Sequence, residues 1–395
     1  MAVSLLSARP VWAEINLDHI AANIAAVQSK IGLSTRIMAV VKADAYGHGV
    51  SQVARTALKS GATSLAVAFV EEGVILRRAG LDAPVLVLGY SGPERFSALI
   101  DYKLTPTVFA YEDARRFSDL ASAQGAVLPV HLKIDSGMGR LGMLPEEALE
   151  VIQRISCLSG IRVEGLYTHL AAAEEEDQVY TASQLSLFNR IIDRCREKGI
   201  VIPTVHAANS AAAIISAPSR YNMVRLGLAL YGHYPGPALK SAGVELRPAL
   251  TLKSRVVMVK SLPAGSAISY GCTYRTPRES LIATVSVGYA DGYSRSLSGR
   301  GRVLIRGYEA PVVGTVCMDH MMVDVSAIPA TRCGDEVVIY GRQGGREASV
   351  EDAAALAGTL NYELLCAVSS RVPRFYFRGG KLRSVEDYLD YPLHC

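Results

Sequence analysis

Residues 38–49 read Met-Ala-Val-Val-Lys-Ala-Asp-Ala-Tyr-Gly-His-Gly, and this stretch decides how the rest of the chain is interpreted. The apolar run from Ile37 to Val41 is too hydrophobic to have one wet face, so it predicts a buried strand. Lys42 follows at the carboxyl end of that strand, where a lysine can act as an amine nucleophile that forms Schiff bases. Alternatively, Lys42 is only the first solvated residue after the strand, and this motif alone does not separate the two interpretations.

The strand before Lys42 is the first of eight strand-like runs that alternate with helical stretches. The other seven cover residues 64–69, 85–88, 104–109, 128–134, 161–167, 203–207 and 223–226. Eight repeats in about 190 residues are typical of a (β/α)8 barrel rather than of a six-stranded doubly wound sheet. No G-x-G-x-x-G or P-loop motif follows the first strand. We therefore predict an α/β fold with an N-terminal (β/α)8 TIM-type barrel over residues 12–246.

The pattern changes near Leu246-Arg247-Pro248. From there to about residue 339 the chain reads as β-runs separated by turn signals, and Ser349 begins a last helix over residues 350–357. We predict a mostly β C-terminal domain over residues 247–395, with residues 1–11 packed against it.

Composition excludes several function classes. The chain has 395 residues, 50% of them hydrophobic, and a net charge of +4 without any Lys/Arg run, so no nucleic-acid partner is expected. Its seven cysteines are scattered and form no Cys-x-x-Cys, which favours reduced thiols over disulfides and predicts no metal site. We see neither a signal peptide nor a membrane span, and we expect a cytoplasmic protein.

Polar residues collect at the carboxyl ends of the predicted strands, where barrels of this kind place their active sites. They are Lys42 and Tyr46, Lys133, Asp135 and Arg140, His169, His206 and Ser210, and Arg225 and Gly227. A Schiff-base lysine, a helix start at Ser210 and a glycine after the eighth strand together suit a cofactor that carries phosphate, which points to pyridoxal 5′-phosphate (PLP). Singly, Gly137 and Gly139 read as turn residues, Ser210 as a helix cap and His169 as a core histidine.

The chain resembles the alanine racemase family along nearly its whole length. The motifs that carry the resemblance are residues 39–49, 133–140, 206–210, 269–271, 287–292, 317–319, 361–363 and 371–374. The resemblance implies an isomerase of PLP fold type III, made of a barrel and a β domain and assembled as a head-to-tail homodimer. It would interconvert L-alanine and D-alanine and supply D-alanine for peptidoglycan.

The resemblance also implies roles for individual residues. Lys42 would hold PLP covalently, Arg225 would contact the pyridine nitrogen, and His206 would support Arg225. The full set of expected cofactor contacts is Lys42, Tyr46, Arg140, His169, Ser210, Arg225, Gly227, Leu228 and Tyr362. Arg140, Met318, Asp319 and Tyr289 would bind or admit the substrate. Lys133 matches a position that is carbamylated in some members.

Racemisation removes the α-proton on one face and returns a proton on the other. The resemblance assigns Lys42 to one face and Tyr270 of the partner subunit to the other, so a monomer would lack half of the acid/base pair. Two positions depart from the family pattern: Leu226 stands where many members have proline, and Thr315 where arginine is common. The second departure bears on the substrate entrance.

Four alternative functions stay open. A non-catalytic PLP-binding protein on the same barrel would not need the residues after Arg247. A related amino-acid decarboxylase would place an acid, not Arg225, near the ring nitrogen. A PLP-free Schiff-base aldolase would leave Arg225 and Ser210 without a purpose. A racemase of broader amino-acid specificity is the nearest rival.

Overall fold

The computed structural model describes residues 9–388, and contacts divide them into two compact units. We call residues 19–45 and 50–247 the barrel unit, and residues 9–18, 46–49 and 248–388 the β unit. The strand β1 (Trp12–Asn16) belongs to the β unit, and the helix α1 (Leu17–Ile31) follows it. None of the helices in this part of the chain has the length and apolarity needed to cross a membrane.

Eight parallel strands form the core of the barrel unit. They are β2 (Arg36–Val40), β3 (Ala62–Val67), β4 (Val85–Val87), β5 (Thr105–Val108), β6 (Leu128–Lys133), β7 (Ile161–Tyr167), β8 (Thr204–His206) and β9 (Met223–Leu226). The strands pair in the order β8-β7-β6-β5-β4-β3-β2-β9, so the barrel is closed except between β8 and β9. At that seam the Arg225 amide donates to the Ala208 carbonyl across 3.0 Å. The predicted fold class is confirmed.

Helices alternate with the strands of the barrel. They are α2 (Lys42–Gly47), α3 (Val50–Lys59), α4 (Val70–Arg78), α5 (Phe96–Asp101), α6 (Tyr111–Ala123), α7 (Pro145–Ser156), α8 (Val179–Glu197) and α9 (Ser210–Ile215). Helix α7 shows why the sequence folds this way: Pro145 pre-sets the first turn, and Ala148, Ile152 and Ile155 recur at helical spacing and are buried.

Helix α2 is a single turn with left-handed backbone. Ala43, Asp44, Ala45 and Tyr46 all have φ between 51° and 53°. The left-handed conformation costs about 1–2 kcal/mol for each residue that carries a Cβ. Contacts elsewhere must therefore hold this turn, and its position directly after the first barrel strand makes it part of the site.

The β unit contains one large mixed sheet. Its elements after the barrel are β10 (Leu250–Leu262), β11 (Ala267–Ile268), β12 (Tyr274–Arg275), β13 (Ser280–Val285), β14 (Arg302–Ile305), β15 (Tyr308–Val313), β16 (Met321–Asp324), β17 (Glu336–Gln343), β18 (Arg346–Ala348), α10 (Val350–Ala357), α11 (Asn361–Cys366), β19 (Arg374–Arg378) and β20 (Lys381–Glu386). The ten strands run β18-β17-β14-β15-β16-β13-β10-β1-β19-β20, and β11 and β12 form a separate hairpin.

The units differ from the predicted domains at one end. Strand β1 lies within the β sheet, antiparallel to β10 and parallel to β19, whereas the predicted barrel began at residue 12. The reason is that β1 finds its two neighbours in segments more than 230 residues away, a pairing that local periodicity does not reveal. We predict that residues 1–11 pack against the β domain, and most of this segment, residues 1–8, lies outside the described residues. The division into a PLP-binding barrel domain over residues 12–246 and a β domain over residues 247–395 stays a prediction.

A glycine on β7 makes room for a buried histidine of β6. A Cβ on Gly165 would lie 2.4–2.6 Å from three ring atoms of His131. We expect Gly165→Ala to destabilise the protein by about 1–3 kcal/mol, because the buried ring cannot move without strain. The measurement is the free energy of unfolding in urea. The matched control is Gly236→Ala, whose Cβ would make only ordinary contacts, the nearest at 3.4 Å. Equal stabilities of the two variants would contradict this packing argument.

Candidate active site

Arg225 is the centre of the carboxyl edge of the barrel, and only 3% of its surface is exposed. Its Nη1 donates to His206 Nδ1 (2.6 Å) and to the His206 carbonyl (3.3 Å). Its Nη2 donates to His169 Nδ1 (3.0 Å) and to the carbonyls of Thr168 and Ala207 (2.8 Å each). The acceptors lie at the end of β8 or directly after β7 and β8, while Arg225 lies on β9, so the guanidinium bridges the seam of the barrel.

The guanidinium fixes the protons of a histidine pair. Because arginine offers only donors, His206 Nδ1 must be an acceptor and its hydrogen is on Nε2. That hydrogen faces His131 Nδ1 at 2.9 Å, so His131 carries its own hydrogen on Nε2. The His206 ring stacks on Tyr167 with centroids 4.6 Å apart. Burial, reinforced by Arg225, lowers the pKa of His131 to about 4 and that of His206 well below its usual value.

Cations surround the same edge. Burial, then Arg140 and Arg225, lower the pKa of Lys133 to about 8, and Lys42 adds to the effect. Burial and Arg225 also hold the pKa of His169 well below its usual value. Burial lowers the pKa of Arg225 itself to about 10, so it stays charged at neutral pH. The site therefore has positive potential and neutral imidazoles, which suits an anionic ligand.

Ser210, the first residue of α9, binds two backbone amides that follow β9. Its Oγ accepts from the amides of Gly227 (2.9 Å) and Ala229 (3.2 Å). Asn209 caps α9 by accepting from the Ala212 amide at 3.0 Å. The hydroxyl hydrogen of Ser210 has no acceptor within residues 9–388, although the side chain is buried. A bound oxyanion would provide that acceptor.

Asp135 orders the loop that carries Arg140. Its carboxylate accepts from the amides of Gly137, Met138, Gly139 and Arg140 at 2.8–3.1 Å. These backbone bonds hold the pKa of Asp135 below its usual value, against the opposing effect of burial. The loop thus holds the exposed Arg140 on a fixed backbone, and the carboxylate of Asp135 already accepts hydrogen bonds from the amides of this loop.

Two carboxylates and a tyrosine hold the left-handed turn after Lys42. Glu72 accepts from the Ala43 amide at 2.6 Å, and Asp44 accepts from the Val50 amide at 2.8 Å. Tyr231 donates its hydroxyl to the Val40 carbonyl at 2.8 Å, two residues before Lys42. These contacts fix the backbone on both sides of the lysine.

In the β unit, Tyr46 lies beside Tyr362 of α11, with ring centroids 6.0 Å apart. A Cβ on Gly47 would lie 2.3 Å from the Leu365 carbonyl, so only glycine permits this approach. Buried Arg374 donates to the Gly47 carbonyl at 3.2–3.3 Å and to the Val368 carbonyl at 2.7 Å. The structure thus brings two of the predicted phosphate-binding tyrosines together.

Two loops of the β unit cross at close range. The amides of Tyr289 and Ala290 donate to the carbonyls of Cys317 (3.1 Å) and Met318 (3.0 Å). Arg371 joins them as well, through Asp291 at 2.7 Å and Asp319 at 2.6 Å, and these bonds raise the pKa of Arg371. Tyr289, Met318 and Asp319 are exposed side by side on this surface.

Tyr270 is also on the surface of the β unit, with 73% of its area exposed. The Thr315 hydroxyl donates to the Tyr270 carbonyl at 2.9 Å, and Ser269 Oγ donates to the Thr315 carbonyl at 2.6 Å. Thr315 is thus part of the support of Tyr270.

Sequence reasoning missed several supporting residues. Glu72 and Tyr231 act on backbone far away in sequence, so no local motif indicates them. Arg371 begins the motif at residues 371–374, but no role was assigned to it. Gln184 of α8 is another: it donates to the His169 carbonyl at 3.2 Å and accepts from the Ala171 amide at 2.9 Å. Within residues 9–388 no cluster of metal-ligating side chains occurs.

Comparison with known proteins agrees with this architecture. The model of the alanine racemase N-terminal domain matches residues 15–235, and that of the C-terminal domain matches residues 249–376. The chain belongs to the alanine racemase family. It is therefore an enzyme of the racemase type.

Individual members of the family are similar over almost the full length. The alanine racemase of Desulforamulus reducens is 48% identical over 369 residues, which are 93% of this chain and 99% of that protein. The structure of the enzyme from Clostridium difficile 630 is 40% identical with a TM-score of 0.93 and covers 97% of this chain and 100% of its own. A structure from Bacillus anthracis with bound L-Ala-P has 38% identity and a TM-score of 0.91, over 97% of this chain and 99% of its own.

The buried histidines predict how stability depends on pH. His131 is neutral in the folded protein down to about pH 4, whereas in the unfolded chain it binds a proton below about 6.5. Stability must therefore fall as the pH drops from about 6.5 to 4, by up to about 3 kcal/mol from this residue. We expect His131→Gln to make the pH dependence of the unfolding free energy shallower by about one proton in this range.

The measurement is urea unfolding at a series of pH values. His320→Gln, at an exposed histidine, is the control and should retain the slope of the unsubstituted protein. An unchanged slope in His131→Gln would mean that His131 is not held neutral.

Proposed function

We propose that the chain is a PLP-dependent alanine racemase. The observation that carries this proposal is the unused donor of Arg225. Its two Nη atoms are occupied by imidazole nitrogens and carbonyls, and its Nε–H has no acceptor within residues 9–388. A pyridine nitrogen is an acceptor of the right kind. A donor-only partner keeps that nitrogen unprotonated.

The phosphate of PLP also has suitable partners. Ser210 offers a buried hydroxyl hydrogen, and the amides of Gly227 and Leu228 lie in the adjoining turn. Tyr46 and Tyr362 offer phenol groups from the β unit, and the cations around Arg225 favour an anion. Lys42 would hold the cofactor, His169 would pack near it, and Arg140 would contact its phenolic oxygen. When bound, PLP supplies an electron sink that acidifies the α-proton of an amino acid.

Two side chains of this protein would move that proton. We assign Lys42 Nζ to one face of the substrate and the Tyr270 hydroxyl of the partner subunit to the other. Each group removes the α-proton in one direction of the L-alanine and D-alanine interconversion, and it donates a proton to Cα in the reverse direction. The exposure of Tyr270 in a single chain supports a shared site in a homodimer, because an acid/base group needs a protected environment to work.

Substrate binding is assigned to Arg140 and to the loops around Tyr289, Met318 and Asp319. The amide of Met318 has no acceptor within the described chain and would receive the substrate carboxylate. Arg371 already neutralises Asp319, so that acid would not repel the carboxylate. Tyr289 would narrow the entrance and favour alanine over larger amino acids.

We also propose that the enzyme works in the cytoplasm and supplies D-alanine for peptidoglycan. All six cysteines in the described part of the chain are free thiols, which suits a reducing compartment. The role in peptidoglycan rests on the family resemblance.

The proposed function predicts a covalent PLP adduct on Lys42 and racemisation of L-alanine. Purified protein should show a visible absorbance band that borohydride removes, with the label found on Lys42 by peptide mass spectrometry. Chiral chromatography should then show D-alanine formed from L-alanine, with serine turned over more slowly. Lys42→Arg, which keeps the charge, is the control and should lose both the adduct and the activity. A band without alanine turnover but with turnover of a larger amino acid would favour the broader racemase.

The assignment of one acid/base group to each face predicts an asymmetric variant. Tyr270→Phe should retain PLP and lose activity from L-alanine more than from D-alanine, by about 10²-fold or more in the affected direction. Solvent deuterium exchange at Cα, followed separately from each enantiomer, measures this. Tyr274→Phe in the neighbouring strand is the matched control. Near-normal exchange from both enantiomers in Tyr270→Phe would contradict the assignment.

The subunit that provides Tyr270 is tested by mixing inactive variants. If the site is shared, Lys42→Ala and Tyr270→Ala chains that exchange subunits form mixed dimers with one intact site. An equal mixture should regain about a quarter of the unsubstituted activity by random pairing. No recovery, with subunit exchange verified by mass, would place Tyr270 in the site of its own chain.

A further inference from the structure

The β unit contains a cleft apart from the residues assigned above. It has a volume of about 420 Å³, in the range of small-molecule sites, and lies between the β14–β15 hairpin and α10. Its apolar floor includes Val303, Leu304 and Ile339, which are almost fully buried, and Leu356 of α10 forms part of its wall. A cavity of this size with an apolar floor accommodates a compact organic molecule.

One end of the cleft has a buried phenol with no partner. Tyr293 is 1% exposed and its hydroxyl has no hydrogen-bond partner within residues 9–388. The oxygen lies over Gly301, where a Cβ would be only 2.0 Å away, and both residues line the cleft. Burial and nearby Tyr340 hold the pKa of Tyr293 well above its usual value, so the group is a neutral O–H. A buried hydroxyl without a partner is costly, and a ligand oxygen in the cleft would satisfy it.

The carboxylates of the cleft are not equivalent. Glu309 pairs with Arg302 at 2.9 Å, and Glu347 pairs with Arg342 at 2.8 Å. Asp352 also lines the cleft, and no cationic side chain of the described chain lies within ion-pair distance of its carboxylate. Asp352 is therefore the acid that is left to attract a cation from solution.

We propose that this cleft binds a small organic ammonium ion: the cation pairs with Asp352, the apolar body packs on Val303, Leu304 and Ile339, and an oxygen of the ligand accepts the Tyr293 hydroxyl. This binding site lies beyond the proposed racemase function and does not depend on it. The ligand class follows from the three kinds of group that line the cleft in the described part of the chain: an acid without a cationic partner, an apolar floor and a buried hydroxyl without an acceptor.

The test uses N,N-dimethyl-4-methoxybenzylamine, a protonated tertiary amine that cannot condense with an aldehyde. Isothermal titration of the full chain should show saturable binding of one molecule per chain. The neutral 4-methoxybenzyl alcohol should bind at least tenfold more weakly. The 4-ethyl analogue, which replaces the ether oxygen by a methylene, should bind about fivefold more weakly, as expected for one lost hydrogen bond.

Variants assign these losses to residues. Asp352→Asn should lower the affinity for the methoxy amine at least tenfold. The matched control is Glu347→Gln, at an ion-paired acid of the same cleft, and it should change that affinity less than threefold. Tyr293→Phe should bind the methoxy and ethyl amines equally, and it should raise the melting temperature of the free protein because a buried unpaired hydroxyl is removed.

Three outcomes would overturn the proposal. They are no saturable binding of the methoxy amine, equal binding of the neutral alcohol, and equal losses in Asp352→Asn and Glu347→Gln. Circular dichroism of each variant verifies that the fold is intact. Because no racemase assay enters the test, failure here leaves the proposed activity standing, and failure of that activity leaves this site standing.

Discussion

The guanidinium of Arg225 is the interaction on which the carboxyl edge of the barrel depends. Strands β8 and β9 are the two ends of the eight-stranded sheet and do not pair as a ladder. Arg225 on β9 replaces the missing ladder by donating to backbone carbonyls at the end of β8 and directly after β7 and β8. A buried cation is costly unless its donors are satisfied, so the carbonyls and the two histidines must lie where they do. One side chain therefore closes the barrel and organises the chemistry at its end.

Burial and that cation together set the proton affinities of the site. A donor-only group makes the facing imidazole nitrogens acceptors, which keeps His169 and His206 neutral. Burial also disfavours the charged form of both imidazoles. Burial, together with Arg140 and Arg225, lowers the pKa of Lys133 as well. Asp135, an acid on this edge, is occupied by four backbone amides and cannot neutralise these cations cheaply. This edge of the barrel therefore suits an anion whose acceptor atoms can bind the donors that remain free among residues 9–388, the Arg225 Nε–H and the Ser210 hydroxyl.

Much of the fold and part of the site follow from sequence. Hydrophobic periodicity gave all eight barrel strands, because a buried parallel strand is recognisable from a short apolar run. The residues at the strand ends followed from barrel geometry. The pairing of β1 with β10 and β19 did not follow, since these neighbours are distant in sequence, and the strands β19 and β20 were not predicted. The left-handed turn at Ala43–Tyr46 was also hidden: alanine and tyrosine do not favour positive φ, and the bonds that hold the turn come from Glu72, which lies outside it, and from Asp44 within it.

The turn at Tyr289–Asp291 shows how tightly the β unit positions its exposed groups. A Cβ on Gly288 would lie 2.2 Å from the Met318 carbonyl, so the two loops touch backbone to backbone. Asp291 accepts the Gly288 amide at 2.9 Å and also binds Arg371, which reaches Asp319 on the other loop. Exposed side chains usually gain freedom from mobile loops, but here the loops are held by a buried acid and a shared arginine. Tyr289 and Met318 therefore combine solvent exposure with a fixed backbone. This combination is what a surface needs if it is to complete a site without a large loss of conformational entropy.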